Sequence, residues 1–440
     1  MSRIIPVALW GYGQFGKDIE QILTDNWPDL YRITAVYDRD HARLNAAGCG
    51  QTLRDPETIG TDHKNGLFDS VIITLYDEGQ RRAVAAHLAA LSVPVLQLDT
   101  SGLYRDPDSF EQVPFPLSVR QEGYAFYAYP AMFLSMEKRM RIPFLHDRSG
   151  HINRAYWVNY QMQTYPAARY FRPVIKEPAV YLPGTWCLLE KADSQNYWHF
   201  TFEVMDQIWL LEKAGFDGRY ILPETAFSGE LLSLLGLAPE RVVRLEDLDV
   251  QKTYRFEMLL CTELLHDNRA CSAPVLLDLA QHILSRIPDD HKTYPKRIFI
   301  RRTGIRKLLI PEQFLAKYGF AEVIPETLSV SDQIRYFRDA EIVFSPHGAN
   351  STNSLYMRPG SVFIETFPTG YTNPCCLETL AAAGVYYLPV TETVSGTGYG
   401  TDAFNKDYAL PESLLETVMR NALILSETGL SASAAGRILP

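Results

Sequence analysis

Three things are scarce in this 440-residue sequence: long apolar runs, paired cysteines and positive charge. No apolar stretch approaches the ~20 residues that span a bilayer, so any membrane contact is expected to be peripheral, at the inner membrane. The cysteines Cys49, Cys187, Cys261, Cys271, Cys375 and Cys376 form no Cys-x-x-Cys pair. That pattern excludes a zinc ribbon and a disulfide framework and fits a reducing cytoplasm. Lys and Arg number 42 against 52 Asp and Glu, a net charge of -10. Nucleic acid is therefore not an expected partner, and any polyanion must be met by a local basic cluster. The start MSRIIPVALWGYG runs straight into a strand and a glycine turn, with no signal-peptide apolar core. Repeats and low-complexity runs are also missing.

What is present is core material. Hydrophobic residues make up 46% of the chain and charged residues 21%. A chain this long exceeds what one core supports, so two or three domains are expected.

The first third reads as a βαβ unit. Ile4–Trp10 is a continuous apolar run of the kind buried in parallel sheets. Gly11-Tyr12-Gly13-Gln14-Phe15-Gly16 follows, then a helical stretch to about Thr24. Further strands are expected at Ile33–Tyr37, Val71–Leu75 and Val93–Leu98, giving a Rossmann-like domain of about 110 residues. The glycines suit a tight turn close to a pyrophosphate, and Asp38, 22 residues after Gly16, stands where a ribose hydroxyl is gripped. Gly11, Gly13, Gly16 and Asp38 are the candidate residues, with NAD(P) or another nucleotide as ligand. A copy of the fold that binds nothing is the alternative.

Residues 110–190 are rich in Pro, Tyr and Phe and weakly periodic. They read as irregular or short extended segments. DSQNYWHFTFEVMDQIWLLEKAGFDG is then the strongest helix in the sequence, with Gly215 as its stop. Within it His199, Glu203 and Asp206 fall at i, i+4 and i+7, one face. An imidazole beside a carboxylate is a candidate general base; a solvated polar face is the bland reading. No HExxH or DxD accompanies them, so no metal site is expected there.

Further on, Lys296, Arg297, Arg301, Arg302, Arg306 and Lys307 place six cations in twelve residues. Arg301 and Arg302 end an expected strand, Arg297–Arg301, on the ligand edge of an α/β sheet, and guanidinium forks suit a pyrophosphate. A solvated basic turn is the alternative. Strands and helices then alternate: helix Pro311–Tyr318, strand Ala321–Ile324, helix Ser331–Asp339, strands Ile342–Phe344 and Val362–Glu365. Between the last two strands lies Ser345-Pro346-His347-Gly348-Ala349-Asn350. Small residues let a ligand near the backbone, and a short helix at Ser351–Met357 offers free N–H groups to phosphate. His347 is either a phosphate contact or a buried structural histidine. Glu365, at a strand end, can accept from ribose hydroxyls. Gly/Thr-rich residues 391–402 read as a loop.

NYWHFTFEVMDQIWLLEKAG, IFIRRTGIRKLLIPEQF and LSVSDQIRYFRDAEIVFSPHGANSTNSLYMRPGSVFIE together resemble glycosyltransferase family 61, close to its bacterial capsular polysaccharide branch. Asn196, His199, Glu203, Arg301, Arg302, Gln333, His347, Gly348, Ala349, Asn353, Pro359, Gly360 and Glu365 match the family pattern. Asn350-Ser351, Arg301 and Asp206-Gln207 depart from it. The resemblance implies a GT-B-like pair of Rossmann-like lobes, here preceded by the N-terminal Rossmann-like domain. The expected division is 1–112, then an acceptor lobe 113–285, then a nucleotide-sugar lobe 286–440.

It also implies an inverting enzyme using a nucleotide-sugar donor and a glycan or lipid-linked glycan acceptor, in surface polysaccharide biosynthesis. Arg301, Arg302, Arg306, His347, Gly348, Ala349, Asn350, Asn353 and Glu365 are expected to hold the donor. His199, Glu203 or Asp206 is expected to act in acid–base chemistry. With basic groups in place of a metal, no cofactor is required. Acceptor contacts are expected among Tyr124, Phe126, Tyr127, Trp157 and Trp186, whose rings can stack on sugars or simply pack. Two other readings remain: an NAD-dependent oxidoreductase built on GYGQFG, and a non-catalytic assembly protein.

Overall fold

The glycine turn, the basic strand end and the His-Gly loop all prove to sit on carboxyl edges of parallel sheets. The computed structural model describes residues 3–98, 102–106, 109–114, 126–138, 141–153, 166–189, 194–262, 273–391 and 406–428. The fold is mixed α/β, and the chain divides into two compact units. Unit 1 holds Met1–Phe115, Tyr127–Cys187 and Glu246–Cys261; unit 2 holds Pro116–Phe126, Leu188–Leu245 and Thr262–Pro440. This grouping differs from the expected 1–112, 113–285 and 286–440. The cause is a strand, Tyr254–Thr262, that pairs in parallel with Val180–Leu188 and so returns its segment to unit 1.

In unit 1, β1 (Ile5–Trp10), α1 (Gln14–Asn26), β2 (Tyr31–Tyr37), β3 (Ser70–Ile73) and α2 (Glu78–Ala90) build a parallel sheet in the order β2–β1–β3. The apolar run of β1 is covered on both faces. Val7 and Leu9 pack with Phe15, Ile19 and Ile22. Ala8 and Trp10 pack with Phe68 and Leu88 on the other side. Full burial of one such large side chain contributes roughly 1.5–3 kcal/mol. The strand expected at Val93–Leu98 reduces to a single bridge, Val71 to Val95. Pro94 in its middle has no N–H to give a ladder.

The Pro- and aromatic-rich stretch does contain short strands. Phe133–Met136 pairs antiparallel with Pro143–His146 and with Tyr254–Thr262. Between them His146 is wholly buried. Its Nδ1 donates to the Asp147 carbonyl at 2.8 Å, and its Nε2 accepts from the Ser135 hydroxyl at 2.9 Å. Burial lowers its pKa to about 4, against a smaller opposing pull from Asp147.

In unit 2, residues 197–213 form one helix, α3. The C-terminal sheet comprises β4 (Arg297–Ile300), β5 (Ala321–Val323), β6 (Ile342–Pro346), β7 (Val362–Thr366) and β8 (Tyr386–Val390), with α4 (Val330–Asp339) crossing from β5 to β6. The order is β5–β4–β6–β7–β8, all parallel. Phe299, Phe344, Val362 and Ile364 fill one core with Leu415 and Met419 from the helix Glu412–Thr428. The order reverses between β4 and β6, which places a crevice at their carboxyl ends. Among the described residues no helix is long and apolar enough to cross a membrane. Residues 392–402 of the expected Gly/Thr loop lie outside the described residues, as do Tyr124, Trp157 and Cys271 and the side chains of Phe126, Tyr127 and Cys261.

Candidate active site

The helix α3 starts at Asn196, whose side-chain oxygen accepts from the Trp198 amide at 2.9 Å and caps the first turn. After His199 the helix widens into a π segment, Phe200–Met205, before returning to α geometry at Asp206. Such inserts cluster at functional sites. The His199 Nδ1 and Glu203 Oε2 are 3.0 Å apart. Their side chains are only 17% and 7% exposed, so the solvated-face reading fails for this pair. Asp206, expected beside them, is wholly buried, and its carboxylate accepts from the Gln207 amide at 2.6 Å. Widening by one residue takes it out of reach as a general base.

At the end of β4 the two adjacent arginines behave differently. Arg301 pairs with Glu322 of β5 through both ends of its fork, Nη2 reaching Oε1 at 2.6 Å. Phe299 and Glu322 are register partners, which carries the carboxylate to the arginine. Arg301 therefore holds a carboxylate where a diphosphate contact was expected. Arg302 makes no ion pair among the described residues. Its Nη1 donates to the His347 carbonyl at 2.7 Å and its Nε to the Ile305 carbonyl at 2.9 Å. Burial first, and the neighbouring Arg306 second, lower its pKa from the ordinary arginine value. Arg306 stands in the left-handed backbone region at φ 61°, a strained position for a side chain of its size.

Across the crevice, β6 ends at Pro346 and delivers His347 and Gly348. A Cβ on Gly348 would lie 1.4 Å from Arg302 Nη1, so only glycine lets the guanidinium in. His347 is 7% exposed, its ring stacked on Phe367 with centroids 4.9 Å apart. Its Nδ1 donates to Glu365 Oε1 at 2.9 Å, and its Nε2 lies 3.3 Å from the Tyr371 hydroxyl. Glu365 is fully buried and also accepts from Ser351 at 2.7 Å and Tyr387 at 2.6 Å. The ribose contact expected of Glu365 does not fit this burial; the carboxylate orients His347 instead.

The short helix expected at Ser351–Met357 forms as a 3-10 helix over Ala349–Tyr356. Ala349 and Asn350 are half-buried at its start, with Asn350 Nδ2 at 3.3 Å from Glu326. Asn353, expected at the donor, is wholly buried. Its Oδ1 accepts from the Tyr197 hydroxyl and its Nδ2 donates to Gln333 Oε1, both at 2.9 Å. It ties α3 to α4 and brings His199 and His347 into one unit.

Trp186, an expected acceptor contact, is 3% exposed and gives its indole N–H to the Pro183 carbonyl. It packs. In unit 1, Gly11, Gly13, Gly16 and Asp38 do assemble: Asp38 Oδ2 accepts from the Tyr12 amide at 2.6 Å. Glu322, Tyr371 and Tyr387 escaped sequence reading. Only Tyr387 had a usable signal: two residues from Pro389, the β7–β8 register partner of Glu365, it shares that face. Among the described residues no three His, Cys, Asp or Glu side chains stand together as a metal site.

A strand-end arginine thus faces a His-Gly turn across a switch point, and the capped His–acid helix belongs to the same unit. Residues 197–364 match the family Glycosyltransferase 61. The segment therefore carries the signature of a glycosyltransferase of family 61, as the resemblance implied. No curated protein matches the chain. The match takes in His199, Glu203, Arg302 and His347, stops one residue short of Glu365, and leaves the glycine turn of unit 1 outside.

Proposed function

We propose that the protein transfers a sugar from a nucleotide-sugar donor to a glycan or lipid-linked glycan acceptor, with inversion and without a metal, in surface polysaccharide biosynthesis. A GT-B-like pairing of lobes belongs to the same reading. One observation carries it: Arg302 is half-buried at the switch point, anchored among the described residues by main-chain carbonyls alone. A guanidinium so placed keeps its charge for an anion.

In this reading Arg302 and Arg306 face the donor diphosphate, and His347 and the amides at the start of 349–356 add hydrogen bonds. The acceptor oxygen attacks the anomeric carbon while the bond to the diphosphate oxygen breaks. Negative charge grows on the leaving nucleotide, and the arginines stabilise it, the largest electrostatic task of the reaction. The acceptor proton passes to His199 Nε2, with Nδ1 held by Glu203. Glu203 is thus a positioning residue.

Calorimetry against UDP, GDP, CMP and CDP, with and without EDTA, tests the reading. The expected result is saturable binding of one nucleotide, indifferent to EDTA and lost in Arg302→Ala with the circular dichroism spectrum unchanged. Full affinity in that variant overturns the assignment of Arg302, and loss of binding in EDTA overturns metal independence.

A further inference from the structure

Sugar transfer gives the glycine turn of unit 1 no task. We propose that this turn is a second nucleotide site, for a ribonucleoside diphosphate that carries a further group, independent of the donor site in unit 2.

The turn follows β1, and the order β2–β1–β3 reverses beside it, so a crevice opens at the carboxyl ends of β1 and β3. Its three glycines answer to different demands. Gly11 has φ +102°, and a Cβ there would sit 3.0 Å from the Thr74 carbonyl oxygen. A Cβ on Gly16 would lie 2.1 Å from the Gly11 carbonyl oxygen. Folding alone requires both. Gly13 has an ordinary φ of -67°, and a Cβ there meets nothing within 4 Å. The open space above Gly13 is the approach a pyrophosphate needs to reach the backbone.

Two side chains from other elements point to the rest of the ligand. Asp38 ends β2, half-buried. Its Oδ2 accepts from the Tyr12 amide and its Oδ1 from the Asp40 amide at 2.8 Å. Each carboxylate oxygen has a second lone pair, enough to take the two hydroxyls of a ribose. On the opposite side, after β3, Tyr76 is 56% exposed, with its ring centroid 5.1 Å from that of Phe15. An exposed ring at the rim of the crevice suits a planar or sugar group on the far phosphate. The diphosphate lies between, at the start of the 13-residue helix α1, whose first turn has neither a side-chain cap nor an acidic residue. Asp38 also selects against a 2′-phosphate by charge.

The test is titration calorimetry of the full chain with NAD(H), NADP(H), ADP-ribose, a UDP-sugar and a GDP-sugar, in wild type and in Gly13→Val, Asp38→Asn and Arg302→Ala. Gly13→Val fills open space and should melt as wild type does; Asp38→Asn keeps an acceptor for the Tyr12 amide. The expected result is one ligand whose affinity survives Arg302→Ala and drops about tenfold or more in Gly13→Val and Asp38→Asn. The identity of that ligand separates a dinucleotide from a nucleotide sugar. If every ligand that binds loses affinity in Arg302→Ala, all binding belongs to unit 2 and the proposal falls. It falls equally if Gly13→Val binds normally or if none of the probes binds.

Discussion

Among the described residues each unit buries one histidine, and the two differ in what faces their ring nitrogens. His146 in unit 1 meets a hydroxyl and a carbonyl, both neutral. His347 in unit 2 meets the carboxylate of Glu365, and its own carbonyl holds the Arg302 guanidinium. Burial alone therefore says little about function. A histidine among neutral partners is a core residue kept uncharged. A histidine inside a network of charges, at the carboxyl edge of a sheet, is a candidate for a site.

The sharpest break in that comparison comes from the charge beside His347. Arg302→Ala is expected to lower kcat/KM for sugar transfer by about 10²–10³, the range for losing one electrostatic partner of a developing charge. His146→Gln, by contrast, is expected to leave kcat/KM per folded molecule unchanged. Steady-state kinetics on both variants read the difference.

The next effect belongs to His146 and concerns stability. Its folded pKa, about 4, lies below the ordinary 6.5, because burial disfavours the charged ring. The unfolded chain therefore takes up the proton first. Stability is full above pH 6.5 and is lost as pH falls toward 4, by about 3 kcal/mol across that window. Urea unfolding at a series of pH values checks this. Wild type should lose stability through the window, and His146→Gln should lose less by about that amount.

Gly348→Ala is expected to fall third, weakening nucleotide binding about tenfold, the loss of a typical charged hydrogen bond. The added methyl meets the tip of a flexible side chain, so Arg302 swings away and the fold survives. Calorimetry should register the change while the melting temperature moves little. A large drop in melting temperature with normal affinity would show that the glycine serves packing rather than the cation.

Much of this was legible because it is local. The β1-turn-α1 unit, the strand at β4 and the His-Gly turn announce themselves through apolar runs, glycines and cations within a few residues. What was not legible depends on register. Glu322 reaches Arg301 only because β5 lies beside β4, and Tyr387 reaches Glu365 only because β8 lies beside β7. The π segment of α3 is a second kind of failure. Ideal 3.6-residue spacing placed Asp206 with His199 and Glu203, and one extra residue per turn moved it into the core.

The smallest effect tests the two adjacent arginines, which no sequence rule separates. Arg301 and Glu322 are each about a third exposed, and a pair so hydrated contributes roughly 0–1 kcal/mol. Its fork is already occupied by a carboxylate, so a diphosphate gains little from it. Arg301→Ala is expected to change nucleotide affinity less than about threefold, within the same small energy. If calorimetry instead finds Arg301→Ala as damaging as Arg302→Ala, the ion pair with Glu322 opens on binding. The donor would then be held by both forks, and the half-buried position of Arg302 would no longer be what distinguishes the site.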